Sequence, residues 1–249
     1  AGARFTGPVA EHADGFSMWD SKLTDWCASK MGPKRDIVGA METAVKARGL
    51  KFLTTFHHQW LWGWYPTWDK SVDAGDPRYS GLYGPYAPAT AFRNGGNYHQ
   101  PLPYPDAAFC DLWLAKVNEV VDRYEPDMLY FDSRMNIITE AHRQQMLAHY
   151  YGKENEWGSE LAVSYKHNDL AWGCGILNAF ERGRMDKLAD FPFIVETCID
   201  TKSWAYVDEP EYRSTTQIVH DLVDAVSKNG CLRLGITPSA QGEIPQEQR

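Results

Sequence analysis

Residues 126–132 read Pro-Asp-Met-Leu-Tyr-Phe-Asp, an apolar run that leaves a proline-containing turn and ends at a carboxylate. A buried strand of a parallel sheet has this form, and active-site residues of α/β barrels lie at the carboxyl ends of such strands. The stretch therefore predicts a buried parallel strand that presents Asp132 at its end. On this pattern alone, a structural role for Asp132 is at least as well supported as a catalytic one.

Strand and helix patterns alternate on both sides of this stretch. Apolar runs predict strands at residues 4–10, 50–56, 126–132, 161–165, 191–195 and 231–236. Helical periodicity and capping residues predict helices at residues 36–49, 107–124, 139–151 and 214–229. In the last helix, the residues expected to face the core are Ile218, Leu222, Val223 and Val226.

This alternation predicts right-handed crossovers and a parallel sheet. The pattern shows about six strands, whereas a closed barrel of this kind needs eight. The expected fold class is therefore α/β, a (β/α)8-like TIM barrel that is incomplete in this chain, unless the pattern conceals further strands.

Composition limits the classes of partner. The net charge of −8 argues against nucleic acid or an anionic membrane as the main partner, and no apolar run is long enough to span a bilayer. The 10 Trp, 13 Tyr and 10 Phe suit either a large core or carbohydrate, whose C–H faces stack on aromatic rings. The five cysteines are dispersed without a CxxC pair, which favours free thiols over a disulfide framework or a zinc site.

Polar residues follow several predicted strands and are expected to share one rim of the barrel. They are His12, Asp14, His57, His58, Asp132, Lys166, His167 and Glu196. Imidazoles and a carboxylate from this set could bind zinc or iron, but no HxH or HExxH spacing supports a metal, and neutral imidazoles also bond sugar hydroxyls. No GxSxG elbow and no GxGxxG after a strand is present, so neither a nucleophilic serine nor a nucleotide cofactor is expected.

Glycoside hydrolysis would need a second carboxyl group, which a retaining enzyme places about 5–5.5 Å from the nucleophile. Glu181 and Glu196 are the candidate partners of Asp132. The alternative for Glu181 is a solvated loop charge paired with Arg182 or Arg184. For Glu196 it is a structural acid at the rim.

Several segments resemble one known family. Residues 11–19, Glu-His-Ala-Asp-Gly-Phe-Ser-Met-Trp, resemble its Lys-His-His-Asp-Gly-Phe segment, and residues 124–132 resemble its nucleophile strand, which typically ends Trp-Phe-Asp-Gly. Residues 36–39 and 49–52 resemble the helix and strand after the first segment. Residues 203–206 and 227–238, with Gly242, resemble the segments that close the barrel. Since their order and spacing hold along nearly the whole chain, the chain resembles the α-L-fucosidases of glycoside hydrolase family 29.

This resemblance implies a retaining exo-glycosidase that removes terminal α-L-fucose from a fucosylated oligosaccharide or glycoconjugate, without a cofactor or metal. It implies Asp132 as the nucleophile and favours Glu181 over Glu196 as the acid/base. The aromatic segment at residues 60–104 is expected to shape the leaving-group subsites. The residues expected to contact substrate are His12, His57, His58, Trp60, Tyr130, Lys166 and Trp204.

The chain also departs from the family pattern. Ala13 stands where the family has a second histidine, and Ser133 replaces the glycine after the nucleophile. Residues 57–60, His-His-Gln-Trp, replace a Tyr-Tyr-Ser or Tyr-His-Ser run and could supply the imidazole missing at position 13. These departures leave two alternatives: a non-catalytic carbohydrate-binding relative, and a metal-dependent hydrolase using His12, His57, His58 and Asp132.

The resemblance further implies that residues 1–249 are one partial catalytic barrel domain. The family's first barrel strands would precede Ala1, and its C-terminal β-sandwich would follow Arg249. Such a segment would expose sheet edges and is expected to be unstable or inactive alone unless those edges are covered. The compartment and the oligomeric state are left open.

Overall fold

The computed structural model describes residues 2–91 and 103–249. The chain divides into two compact units, Ala1–Gly175 and Ile176–Arg249. Among the described residues, no helix has both the length and the apolar character needed to cross a membrane.

The first unit contains a parallel sheet. Its strands are β1 Phe5–Thr6, β2 Val9–Glu11, β3 Lys51–Phe56, β4 Met128–Phe131 and β5 Ala162–Lys166. Both β1 and β2 pair with β3, which pairs with β4, which in turn pairs with β5. The break between β1 and β2 falls at Gly7-Pro8, where a side chain at Gly7 would meet the carbonyl oxygen of Leu53 at 1.6 Å. The two short segments thus make up the predicted strand at residues 4–10.

Helices of the first unit are α1 Ile37–Lys46, α2 Ser80–Tyr83, α3 Ala107–Tyr124 and α4 Glu140–Trp157. Asp36 caps α1 by accepting from the amide of Gly39, and Asp106 caps α3 by accepting from the amide of Phe109. Helix α3 buries one largely apolar side, and its Trp113 ring lies 5.7 Å from that of Phe131 on β4. Helix α4 continues past the predicted end at residue 151 and stops at the left-handed Gly158.

The segment after β3 is irregular, as predicted, but it contains short turns of 3₁₀ helix at His58–Leu61, Asp73–Gly75 and Pro77–Tyr79. Its aromatic rings pack on one another, with Tyr65 at 4.9 Å and Tyr79 at 6.3 Å from Tyr83 between ring centroids. Residues 92–102 of this segment lie outside the described residues.

The second unit contains three parallel strands and one helix: β6 Ile176–Glu181, β7 Phe193–Cys198, α5 Thr215–Ser227 and β8 Gly230–Gly235. Strand β6 was not predicted, and Glu181, expected in a loop, is its last residue. The buried residue near the middle of β6 is Asn178, so the strand lacks an apolar run that periodicity could detect. Glu196 lies inside β7 rather than after it, because β7 extends to Cys198.

Helix α5 begins where predicted, with a capping box between Ser214 and Gln217. The predicted inward face was wrong: Leu222, Val223 and Val226 are 45–60% exposed. The side that is buried carries Ala225, and Asp221 accepts from two arginines. The buried side of α5 therefore carries a small residue and a buried ion cluster, whereas the prediction expected large apolar side chains there.

Candidate active site

The carboxyl ends of β2 to β5 lie at one edge of the first sheet. The registers pair Glu11 with Phe56, Phe56 with Phe131, and Phe131 with Tyr165. The next residue on each strand is therefore delivered to the same edge. These residues are His12, His57, Asp132 and Lys166, which confirms that the strand-end residues of this unit gather together.

Asp132 is the centre of this group. Its Oδ2 lies 2.8 Å from His57 Nε2, while Oδ1 lies 2.6 Å from Lys166 Nζ and accepts from the Tyr130 hydroxyl at 3.0 Å. Tyr130 reaches the carboxylate because residues two apart on a strand share a face. The Asp132 side chain keeps 28% exposure, so the carboxylate is held by three donors and still faces solvent.

Two of these donors, His57 and Lys166, keep Asp132 ionised. Burial alone raises the pKa of Asp132, but the hydrogen bond and charge of His57 and the charge of Lys166 outweigh it and hold the pKa well below its usual range. An ionised carboxylate only accepts, so His57 donates through Nε2–H. The other ring nitrogen of His57, Nδ1, is buried and has no hydrogen-bond partner among the described residues.

The ring of His12 lies next to the ring of His57, with 4.2 Å between the two ring centroids. Partial burial and the neighbouring His57 lower the pKa of His12, against the opposite effect of Asp14 and Asp132. The His12 ring is therefore neutral near pH 7. Although the ring is partly covered, His12 as a whole keeps a solvent-exposed surface. A neutral imidazole offers one donor and one acceptor to a ligand hydroxyl.

The segment at residues 59–62 and the segment at residues 132–134 are joined by hydrogen bonds in both directions. The Gln59 amide donates to the carbonyl of Ser133 at 2.7 Å, and the Trp60 indole N–H donates to the carbonyl of Asp132. In return, the Arg134 guanidinium donates to the carbonyls of Trp60 and Trp62 at 3.2 and 2.9 Å. Trp60 is thus tied to the Asp132 backbone, with the Arg134 guanidinium carbon 4.9 Å from its ring centroid.

His58 is not brought to the Asp132 carboxylate. Its side chain is 3% exposed, and Nδ1 bonds to Glu11. Its other ring nitrogen is buried without a hydrogen-bond partner in the described part of the chain. The expected sugar contact through His58 therefore has no support, because neither ring nitrogen reaches the surface.

The two candidate partner carboxylates lie side by side in the second unit, where Glu181 pairs with Glu196 in the β6–β7 register. Glu196 accepts from Asn178 Nδ2 at 2.9 Å and forms an ion pair with Arg233 at 2.8 Å. Its side chain is 16% exposed, whereas Glu181 is an exposed residue at the strand end.

The arginines suggested as partners of Glu181 have other described contacts. Arg182 donates to the carbonyls of the 200–203 turn and stacks on the Trp204 ring at 4.6 Å. Arg184 donates to Asp221 at 2.7 Å. Trp204 is 42% exposed, so one of its faces carries Arg182 while the residue remains at the surface.

Several buried residues of the first unit were not singled out from the sequence. Burial raises the pKa of Asp169 to about 7, although it accepts from the backbone amides of Met135 and Asn136. Glu11 and Lys116 form a fully buried ion pair. Lys116 did leave a signal, since it lies three residues after Trp113 on the buried side of α3.

No group of three His, Cys, Asp or Glu side chains within residues 2–91 and 103–249 could hold a metal ion.

Comparison with known proteins places this chain in a family. The sequence model of the alpha-L-fucosidase family matches residues 1–249. Tissue alpha-L-fucosidase of Bos taurus is 24% identical over 251 residues, which is 98% of this chain and 47% of the relative. Plasma alpha-L-fucosidase of Rattus norvegicus is 26% identical over 268 residues, or 98% of this chain and 49% of the relative. The chain thus spans about half the length of the curated relatives it matches.

Solved structures give the same result. The alpha-fucosidase of Thermotoga maritima is similar over 99% of this chain and 50% of its own, with 27% identity and a TM-score of 0.71. The same enzyme with a mechanism-based inhibitor has 28% identity over 99% of this chain and 49% of its own, with a TM-score of 0.69. These similarities confirm the α/β fold class, a (β/α)8-like barrel that is incomplete in this chain. Because the family model covers the whole chain, the chain belongs to the alpha-L-fucosidase family.

Proposed function

We propose that the protein is a retaining exo-glycosidase that hydrolyses terminal α-L-fucose from a fucosylated oligosaccharide or glycoconjugate. The observation that carries this proposal is the ionised Asp132 carboxylate at the end of β4, held by His57, Tyr130 and Lys166. A carboxylate nucleophile must be ionised and reachable, and Asp132 meets both requirements.

The reaction would proceed by double displacement. Asp132 attacks the anomeric carbon of fucose, the bond to the leaving oxygen breaks, and a general acid protonates that oxygen. Water, deprotonated by the same residue, then attacks the anomeric carbon and releases Asp132. Lys166 and Tyr130 keep Oδ1 oriented throughout, and His57 does the same for Oδ2.

We propose Glu181 as the general acid/base. Glu196 serves less well, because its two oxygens are engaged by Asn178 and by the Arg233 cation, which favours the ionised form. Glu181 is exposed at the end of its strand, where a leaving group has access.

For sugar binding we propose His12, Lys166, Trp60, Tyr130 and Trp204, with His57 as a residue that orients Asp132. His12 is the imidazole whose exposure suits a hydroxyl contact. We also propose that residues 1–249 form one partial catalytic domain, a proposal supported by the family model, which runs through both compact units without a break.

The test is turnover of an aryl α-L-fucoside by the full-length protein and its Asp132→Gly variant. We expect the substitution to abolish turnover, and azide to restore part of it by taking the place of the carboxylate. The matched control is Asp208→Gly, at an exposed residue. Normal turnover in Asp132→Gly contradicts the proposal. Fucose binding without turnover by the unaltered protein would favour the carbohydrate-binding alternative.

A further inference from the structure

A fully buried ion cluster lies beneath the histidine pair. Lys116 is 1% exposed, and its Nζ lies 2.5 Å from Glu11 Oε2 and 3.3 Å from the carbonyl of Gly15. The other oxygen of Glu11 bonds to His58, and the Ser17 hydroxyl donates to Oε2 at 3.1 Å. Glu11 itself has no exposed surface.

The protonation states in the cluster follow from its charges. Burial raises the pKa of Glu11, but the Lys116 charge and the His58 contact outweigh burial and lower the pKa to about 2. Burial lowers the pKa of His58, despite the neighbouring carboxylate. Glu11 and Lys116 are thus a charged pair, and neutral His58 donates Nδ1–H to Glu11.

Such a pair adds little to stability compared with apolar side chains of the same size, since burying two charges costs about as much as their attraction returns. Its position suggests another role. Glu11 ends β2 and directly precedes His12, and His58 directly follows His57. The His57 amide donates to the Glu11 carbonyl at 2.9 Å, and the His58 ring stacks on Phe109 of α3 at 5.2 Å.

We propose that Lys116, Glu11 and His58 are positioning residues that fix His12 and His57 against each other and thereby hold His57 on Asp132. The cluster joins two strand ends to α3, and each of its strand-end members is the chain neighbour of one histidine of the pair. None of the three is described in contact with Asp132, so they act through His57. The role in catalysis rests on the proposed function, whereas the positioning of the two rings does not.

The test is the double variant Glu11→Gln with Lys116→Met, which removes both charges and leaves no unpaired ion. Nuclear Overhauser contacts between the rings of His12 and His57 report the geometry in the absence of substrate. We expect the variant to fold, to lose these contacts, and to show kcat reduced about 10²-fold with KM little changed, since a small displacement near the reacting atoms has this effect.

The control is Lys51→Met with Asp127→Asn, which removes the 2.6 Å ion pair at the opposite ends of β3 and β4 and should keep both the ring contacts and kcat. If the double variant does not fold, the same measurements are made on His58→Phe. This substitution preserves the stack on Phe109 and the Lys116–Glu11 pair. A folded variant that retains the ring contacts overturns the proposal. Absence of turnover in the unaltered protein would refute the proposed function, while the ring contacts would still decide the positioning role.

Discussion

Three neighbouring groups donate to or pair with Asp132, each from a different place in the chain, and two of them, His57 and Lys166, outweigh its burial and keep it ionised. Tyr130 lies two residues earlier on β4, His57 follows β3, and Lys166 ends β5. A single strand could supply only one of these groups. The chemistry of this residue therefore depends on the register of three adjacent strands.

Ser133 directly follows Asp132 with φ 61°, in the left-handed region that favours glycine. A side chain in this region costs about 1–2 kcal/mol, which accounts for the glycine of the family motif. We expect Ser133→Gly to raise the free energy of unfolding by up to about 1 kcal/mol, because the greater chain entropy of glycine offsets part of the gain. Urea unfolding measures the change. Ser164→Gly, inside β5, is the control and should lower stability. A less stable Ser133→Gly protein contradicts this expectation.

Asp169 gives a pH dependence whose sign is fixed. Burial raises its folded-state pKa to about 7, above its value of about 3.9 in the unfolded chain. Its contribution to stability is therefore fully present below pH 4 and is lost as the pH rises to 7. Asn at this position stays neutral.

We expect the melting temperature of Asp169→Asn, relative to the parent protein, to rise between pH 4 and pH 7 and then level off. The exposed Asp186→Asn variant is the control and should follow the parent at every pH. If the melting temperatures of Asp169→Asn and the parent protein differ by the same amount at every pH, folding does not raise the pKa of Asp169. Asp169 would then be ionised in the folded protein at neutral pH, contrary to this expectation.

At the scale of elements, β6 and β7 place the two candidate carboxylates side by side but in different surroundings, with Glu181 exposed and Glu196 paired with Arg233. We expect Glu181→Gln to slow hydrolysis of fucosides with poor leaving groups by about 10²–10⁴-fold, with a smaller effect on activated aryl fucosides, since those need no protonation. Glu196→Gln should instead lower the free energy of unfolding by roughly 2 kcal/mol, because Arg233 loses its charged partner. Exposed Glu243→Gln is the control. A reversal of the two effects would exchange the two assignments.

Element-level patterns predicted the first unit better than the second. Helix α3 was predicted with its observed bounds, and β4 with Asp132 at its carboxyl end, directly after Phe131, because both segments have a clear apolar pattern. Strand β6 was missed since Asn178 occupies its buried position, and α5 was turned around since Asp221 is buried. Periodicity can place a polar residue on a buried side, as it does for Lys116 on α3, but it cannot identify the partner, and so the Glu11–Lys116 pair was not predicted.

At the scale of the whole molecule, the family model extends over residues 1–249, across both compact units. If these residues are one domain, as proposed, amide protons of β4 and β7 should exchange through the same unfolding event, with the same dependence on urea. Native-state hydrogen exchange measures this for each strand. Opening of β6, β7 and β8 at lower urea and with a smaller slope would divide the chain into two domains.

The most direct measurement of the central claim is covalent trapping of the nucleophile. The full-length protein is incubated with a 2-deoxy-2-fluoro-α-L-fucosyl fluoride, digested, and analysed by peptide mass spectrometry. Since a retaining mechanism passes through a glycosyl–enzyme ester, the sugar should be found on Asp132, and the Asp132→Gly variant should remain unlabelled. Labelling of another carboxylate, or rapid turnover of ordinary fucosides without any trapped ester, would contradict the assignment of Asp132 as the nucleophile.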